Sequence, residues 1–292
     1  MTTTWVLLSL VSAFSLATSD ALTKKALTNG HEYLVAWFRL LFSIPPLLFL
    51  LILIPVPEID SDYYIAFASS LPFEIIAMIL YIKALRVSPL SLTLPFLALT
   101  PVFLMLVSYV LLGEKVSLKG GIGILLIAAG SYTLNIHEMR NGVMKPFIAI
   151  MKEKGSYLMI FVAFIYSITS SLGKMAIIHS SPLFFGATYF IILTIAFTPI
   201  ALWMGRHELK PFVSGKKYRG LLLPGVFYSI MIASHMTAIS LTKVAYMISL
   251  KRISLIVGIA YGYFLFKEKN IRERLFGGLM MFSGFVLIVT AS

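Results

Sequence analysis

Residues 87–113, 120–136 and 275–292 of this sequence contain no Asp, Glu, Lys or Arg. A helix crosses the hydrocarbon core of a bilayer with about 20 apolar residues, so a chain built of such runs is constrained to the membrane. Charged residues are 12% of the 292 and apolar ones 59%, whereas soluble domains are about one quarter charged. Spread evenly, the charges would interrupt every stretch of about 20 residues. They are clustered instead, and an all-α membrane protein is the expected class.

Apolar runs read against turn and charge signals give ten spans, at about residues 5–24, 33–54, 63–84, 89–112, 117–136, 156–176, 183–204, 219–240, 244–266 and 273–290. The amino terminus, MTTTWVLLSLVSAF, lacks the basic start and small-x-small cleavage site of a secretory signal, so it reads as the first span. The longest connection, residues 137–155, is basic and too short for a further domain.

The spans repeat. Residue n laid on n+150 in the first span puts Ala13, Phe14, Leu22, Lys24 and Ala26 on Ala163, Phe164, Leu172, Lys174 and Ala176. An offset of 154 later puts Pro45 on Pro199, Glu114-Lys115 on Glu268-Lys269, and Gly130 on Gly284. The expected units are a five-helix repeat at 1–136, the 137–155 connection, and a second repeat at 156–292. Five is odd, so the second copy enters from the opposite side. Inverted repeats of this kind are the usual build of a secondary transporter, with its site at the repeat interface.

YVLLGEKVSLKGGIGILLIAAG, its second copy YFLFKEKNIRERLFGGLMMFSG, and KALRVSPLSLTLPFLALTP resemble the drug/metabolite transporter (DMT) superfamily, EamA-type. The resemblance covers essentially the whole chain. It implies a metabolite transporter working by alternating access, with a cavity walled mainly by spans 1, 3, 4, 6, 8 and 9. It also favours export, and a cell (inner) membrane of a bacterium or archaeon.

Charge decides orientation. Counted on alternate loops, one side carries sixteen Lys and Arg, from Lys24 and Lys25 to Arg272 and Arg274, and the other carries Lys115, Lys119, Lys174 and Lys243. The positive-inside rule puts the sixteen in the cytoplasm and both termini outside, together with the loop holding Glu58, Asp60 and Asp62. Relatives commonly have both termini inside, so charge and resemblance differ here. The net charge of +12 is thus a property of loops beside lipid, and nothing in it requires nucleic acid. There are no cysteines, which excludes disulfides and thiol chemistry.

Four basic residues remain inside spans. Arg39 and Lys83 are near enough to span ends to snorkel. Lys251 and Arg252 lie seven and eight residues into the ninth span, roughly 10 to 12 Å deep, where each would cost about 2.5–3.5 kcal/mol if it faced lipid. Glu74, at roughly 16 Å from the same side, and His235, at about 8 Å, complete an expected polar layer. Their counterparts at offset 154 are Tyr228, Tyr81, Leu97 and Ala98, none charged, so scaffold symmetry does not demand these charges.

The plainer reading of the layer is an ion pair of Glu74 with Lys251 or Arg252, locking the third span to the ninth. Two cations against one carboxylate leave a surplus, and the functional reading gives Arg252, with Lys251, to an anionic or zwitterionic substrate. His235 is then a polar contact or proton carrier, although a lone helical His is commonly a packing residue. Tyr166 and Tyr228, with Phe14, Phe227 and Tyr246, are candidates for the cavity floor.

Glu74 and Asp20 are the candidates for proton coupling, although Asp20 lies one turn before Lys24 and an i, i+4 pair would explain it. Thr18, Ser19, Thr169, Ser170 and Ser171 are pathway hydroxyls or helix contacts. Gly258 and Gly262 form a GxxxG, for which close helix contact is preferred.

Two rivals stay open: a multidrug antiporter of organic cations using Glu74, and a non-transporting scaffold or sensor. Enzymatic motifs fail. His31-Glu32, His137-Glu138 and His207-Glu208 do not continue as HExxH, GGIGILLIAAG lacks the GxGxxG spacing, and no GxxxxGK[ST] occurs. The expected partners are therefore a small molecule, the lipid bilayer and a coupling proton, with no metal or cofactor. The orientation is testable: a reporter active only in the cytoplasm, fused after Ser292, is expected to stay silent, and activity there would reverse the topology.

Overall fold

The structure, a computed structural model, describes residues 2–27, 30–87, 94–133, 154–266 and 271–291. These residues form helices and short connections. They are α1 (Thr2–Leu27), α2 (Glu32–Leu53), α3 (Ser61–Val87), α4 (Thr100–Leu112), α5 (Leu118–Thr133), α6 (Lys154–Ile178), α7 (Pro182–Met204), α8 (Arg206–Ser214), α9 (Leu222–Leu241), α10 (Val244–Lys251), α11 (Ser254–Phe266) and α12 (Ile271–Val289). Tight 3-10 turns, Leu94–Leu99 and Lys217–Leu221, lead into α4 and α9.

Six helical segments among the described residues are long and apolar enough to cross a membrane: Thr3–Leu27, Glu32–Leu53, Ser61–Ala84, Lys154–Ile178, Pro182–Met204 and Lys217–Leu241. Shorter apolar helices cover Phe96–Leu112, Leu118–Thr133 and Phe276–Val289. Large apolar side chains such as Phe49, Ile52, Val110 and Phe264 are exposed, as expected of a surface that meets lipid rather than water. Expected residues 88–93, much of the 137–155 connection, and Glu268-Lys269 lie outside the described residues.

Sequence explains the local starts and stops. α7 begins at Ser-Pro: the Ser181 hydroxyl accepts from the Phe184 N–H at 3.3 Å, and Pro182 takes the first helical position, where its missing N–H costs nothing. Asp60 caps α3 by accepting from the Tyr63 N–H at 3.1 Å, and its other oxygen meets His179 Nδ1 at 2.7 Å beyond the end of α6. These two hydrogen bonds, the cap first, hold the Asp60 carboxyl below the usual carboxylate range.

α8 is an addition to the expected plan, which ran residues 205–218 as loop. It buries Phe212 against Leu34, Val35, Phe38 and Leu221, and it packs so near Gly30 that a Cβ there would stand 2.6 Å from the Phe212 ring.

The principal contacts pair α3 with α6, α1 with α9, α5 with α12, and α2 with α7. Under the sequence offsets α1 corresponds to α6 and α3 to α9, so the first two contacts exchange and the other two map onto themselves. That is the signature of a two-fold relation between the halves. At its centre a Cβ on Gly123 would meet the Gly284 carbonyl at 2.7 Å, and one on Gly130 would meet the Gly277 carbonyl at 2.7 Å. Gly123 and Gly277, and Gly130 and Gly284, are counterparts at offset 154.

The close helix contact expected at Gly258 is instead found here: a Cβ on Gly258 would have nothing within 4 Å, because that face of α11 is open. The surroundings of Gly262 lie outside what is described. Gly130→Leu, pushing carbons into a fixed backbone carbonyl, is therefore expected to destabilise the protein by about 1–3 kcal/mol or more. Gly258→Leu should leave the melting temperature in detergent unchanged.

Candidate functional site

The ninth span does not run through. α10 ends at Lys251, α11 starts at Ser254, and between them the chain tightens: Arg252 N–H donates to Ser249 O at 3.1 Å and Ile253 N–H to Leu250 O at 3.0 Å. Both are i to i−3 bonds, so the α-helical ladder is interrupted at the paired cations. The fourth span departs from α-helix at the equivalent register, where the 3-10 turn ends at Leu99 and α4 begins at Thr100, counterpart of Ser254. Irregular backbone at membrane depth is tolerated where it is enclosed by protein or lines a cavity. Lys251 and Arg252 gain from the negative end of α10, while the starts of α4 and α11 supply positive ends suited to an anion.

Around this break the structure gathers the expected layer. Lys251 Nζ lies 3.5 Å from Nδ1 of His235, which is buried on α9. Arg252 Nη2 donates to Thr100 Oγ1 at 2.9 Å, and its buried Nε has no acceptor among the described residues. Glu74, on α3, is half-buried and has Lys251 within electrostatic range, while the Thr169 hydroxyl of α6 is directed to the Tyr166 carbonyl at 3.5 Å. Tyr166, on α6, feels both Glu74 and Arg252.

The ion pair expected between Glu74 and Lys251 or Arg252 is absent: no such pair lies within 4.0 Å among the described residues.

Two expectations are corrected by one contact. Arg39 does not snorkel, and Asp20 finds its partner on another helix: Arg39 Nη1 lies 2.7 Å from Asp20 Oδ1, and the guanidinium is also 4.6 Å from the centre of the Tyr228 ring. The Asp20 side chain keeps 49% of its surface exposed, against 19% for Arg39. Lys251 is within electrostatic range of Asp20 as well as Glu74, so Asp20 joins the layer rather than sitting apart at a span end. Lys83 is exposed, as expected.

Tyr81 was missed as a site residue; it is within range of Asp20, Arg39, Arg252 and Tyr228. The repeat carried its signal, because Tyr81 is the counterpart of His235 as Tyr228 is of Glu74. Of the hydroxyls, Thr18 meets the Tyr261 hydroxyl at 2.8 Å, whereas Ser19 bonds the Pro224 carbonyl at 2.9 Å and Ser171 the Ser167 carbonyl at 2.9 Å.

Known proteins match this arrangement in sequence and in fold. The sequence profile of the EamA-like transporter family fits twice, over residues 3–136 and 153–290. The chain belongs to the EamA-like transporter family. It is thus an integral membrane protein of a transporter family, implying a substrate and surrounding lipid. Solved structures contribute 26 matching chains. One crystal structure superposes over 99% of this chain and 98% of its own with a TM-score of 0.73 at 12% identity, a likeness of fold. No curated protein matches the sequence.

This EamA-like chain has a second polar assembly, at one end of the helices. Gly113 closes α4 in the left-handed conformation (φ 69°), its N–H donating to Tyr109 O at 2.9 Å, and the Glu114 N–H returns to Ser108 O at 3.3 Å, a closure that glycine permits. Glu114, just after α4, then joins two further helices: Oε1 meets Lys174 Nζ of α6 at 2.6 Å, and Oε2 accepts from the Val244 N–H of α10 at 2.8 Å. It thereby caps α10, whose own N-cap Lys243 supplies no side-chain bond. Lys174 also donates to the Thr242 carbonyl at the end of α9.

Lys174, expected as a loop cation, is a largely enclosed partner at 12% exposure. Tyr246 belongs here and not to the cavity floor. It is fully buried, its hydroxyl sits 3.0 Å from Ser117 Oγ, and a Cβ on Gly120 would fall 2.1 Å from it. Removing one member of a buried pair strands the other. Lys174→Met is expected to cost about 3–5 kcal/mol, with part of the loss restored in Lys174→Met/Glu114→Gln. A double-mutant cycle on unfolding in detergent reads the coupling directly.

Proposed function

We propose that this chain is a secondary transporter that moves a small polar metabolite, anionic or zwitterionic, by alternating access, with export as its direction. The observation that carries the reading is Arg252, a guanidinium at a helix break with a buried Nε lacking an acceptor and no carboxylate within ion-pair distance among the described residues. A planar fork free of a protein counter-charge is suited to a carboxylate or phosphate. Lys251, His235, Tyr166 and Tyr228 complete the binding surface, Glu74 is its acidic member, and Glu74 or Asp20 takes a coupling proton.

The architecture that goes with this function is ten spans in two inverted five-helix repeats, 1–136 and 156–292, joined by residues 137–155. Exchange of the α1–α9 and α3–α6 contacts supports it, because a site on a two-fold seam presents similar walls to either side. Charge asymmetry of the loops supports an orientation with both termini outside, in a bacterial or archaeal cell membrane.

A second reading has its own observation. Glu74 has no cation within ion-pair distance among the described residues, which suits a lipophilic cation exchanged for protons.

Ligand-dependent thermal stabilisation of the purified protein separates the two, since binding to the folded state raises stability by about 2.7 kcal/mol at a hundred times Kd. Stabilisation by an anion or zwitterion is expected, and Arg252→Ala is expected to weaken it by about 10- to 100-fold, the range of a lost charge-assisted hydrogen bond. Stabilisation by organic cations that survives Arg252→Ala and vanishes in Glu74→Gln would transfer the assignment to the multidrug reading.

A further inference from the structure

A groove separate from the central layer runs between the end of α4 and the start of α5. It holds about 560 Å³, within the range of clefts that take a small molecule. Its walls grade from polar to apolar along the helices: Glu114, Lys115 and Ser117 stand at the turn, and Met105, Ile122 and Leu125 lie beyond it. Leu112 to Met105 and Leu118 to Leu125 are each seven residues, so the apolar part reaches roughly 10 Å from the turn at 1.5 Å per residue. Ile122 and Leu125 are about half exposed, and both helices are apolar segments of a membrane protein. What these side chains face is therefore lipid.

The depth of the groove comes from Gly121. A Cβ there would meet nothing nearer than Met105 Sδ at 3.8 Å and Val116 Cγ1 at 3.9 Å, whereas one on Gly123 or Gly130 would strike a carbonyl of α12 at 2.7 Å. Helix packing thus requires glycine at 123 and 130 but not at 121, where the counterpart at offset 154 is Leu275. Glycine within a helix is destabilising, and here it leaves open a space that a side chain could fill.

The charge at the mouth is uncommitted. Beyond the left-handed turn at Gly113, the Glu114 carboxylate is taken up by Lys174 and the Val244 N–H. Lys115 is exposed and has no carboxylate within 4.0 Å among the described residues. An unpaired ammonium above an apolar groove on a lipid-facing surface is the complement of a phosphate joined to an acyl chain. A water-soluble anion would leave the groove empty, and a chain without phosphate would leave the ammonium unpaired. A zwitterionic headgroup would bring its own ammonium beside Lys115, so a net negative one fits better.

We propose that this groove binds one anionic phospholipid, its phosphate on Lys115 and an acyl chain lying over Gly121 against Met105 and Leu125. Two residues bordering the groove also join the halves of the chain, Glu114 to Lys174 at 2.6 Å and Ser117 to the Tyr246 hydroxyl at 3.0 Å. The bound lipid buttresses that junction from outside.

The test uses the full-length protein, stripped of lipid in detergent. It is titrated with phosphatidylglycerol, with phosphatidylcholine of the same chains, and with glycerol 3-phosphate, while melting temperature and the lipid retained in native mass spectrometry are followed. The wild type is expected to retain one phosphatidylglycerol per chain and to bind it about fivefold or more tightly than phosphatidylcholine. Glycerol 3-phosphate should have no effect at the same concentrations. Lys115→Gln should bring the two lipids to within about twofold of each other. Gly121→Leu, whose side chain enters the groove without meeting backbone, should lose the retained lipid while melting no lower than the wild type in lipid-free detergent.

Phosphatidylglycerol retained as well by Gly121→Leu as by the wild type sits elsewhere on the surface and overturns the site, as does a wild type that retains none. Equal affinity of the wild type for the two lipids, or a preference that survives in Lys115→Gln, overturns the headgroup assignment. Stabilisation by glycerol 3-phosphate alone overturns the lipid in favour of a small phosphate.

Discussion

An ionised side chain cannot be left facing hydrocarbon. In a chain whose surface is almost wholly apolar, this constraint decides where each internal charge goes. Asp20, Arg39, Glu74 and the adjacent Lys251 and Arg252 come from four separate places in the sequence, on α1, α2, α3 and the α10–α11 break, yet they form one polar layer. Their convergence needs no attraction between particular pairs, since every other location available to them is worse. The consequence is a site whose charges are in part solvated by hydroxyls and by the ends of broken helices. Thr100 serves Arg252 at 2.9 Å, and the carboxyl end of α10 stabilises both cations.

The scaffold around this layer obeys the repeat and the charges do not. Gly123 against Gly284 and Gly130 against Gly277 are the same contact seen from either side of a two-fold axis. The departures from α-helix before Thr100 and Ser254 fall at equivalent residues. Glu74 faces its counterpart's role in Tyr228, however, His235 in Tyr81, and the Lys251-Arg252 pair in Leu97 and Ala98, which are buried. Symmetry therefore accounts for the frame and the broken helices. It leaves the acidic and basic members as additions made in one copy only. Arg rather than Lys at the break is physically sensible, because a delocalised fork sheds water more readily and binds planar anions with two bonds.

How much of this was legible depends on how local each cause is. Spans and their repeat are written in runs of apolar residues and in glycines at fixed offsets, and depth arithmetic along the ninth and third spans was enough to group Glu74, His235, Lys251 and Arg252. The interruption at Arg252 was not legible, since Lys-Arg-Ile-Ser contains neither Gly nor Pro. Asp20 offered a local partner in Lys24, and the sequence had no means to show that α2 would bring Arg39 to it. Tyr246 looked like a cavity aromatic. Its role at Ser117 and Gly120 depends on how α5 lies against α10, a tertiary fact without a sequence period. Tyr81 was recoverable, had the counterparts of charged residues been treated as site candidates in their own right.

The distribution of the site over the two halves carries the final step. Asp20, Arg39, Glu74 and Thr100 belong to the first repeat, and Tyr166, Thr169, His235, Lys251 and Arg252 to the second. The contact of Arg252 with Thr100 across the seam is a single hydrogen bond from a charged group to a hydroxyl. The charge-to-charge contact, Asp20 with Arg39, stays within one half. At the helix ends the reverse holds: Glu114 of the first half is bound to Lys174 and to the start of α10 in the second by an enclosed ion pair and a cap. In their polar contacts the halves are thus tied more firmly at one end of the helices than around the central charges. A guest that replaced that hydroxyl by a charge of its own would change the strength of the central seam, and occupancy would bear directly on how the halves sit against each other.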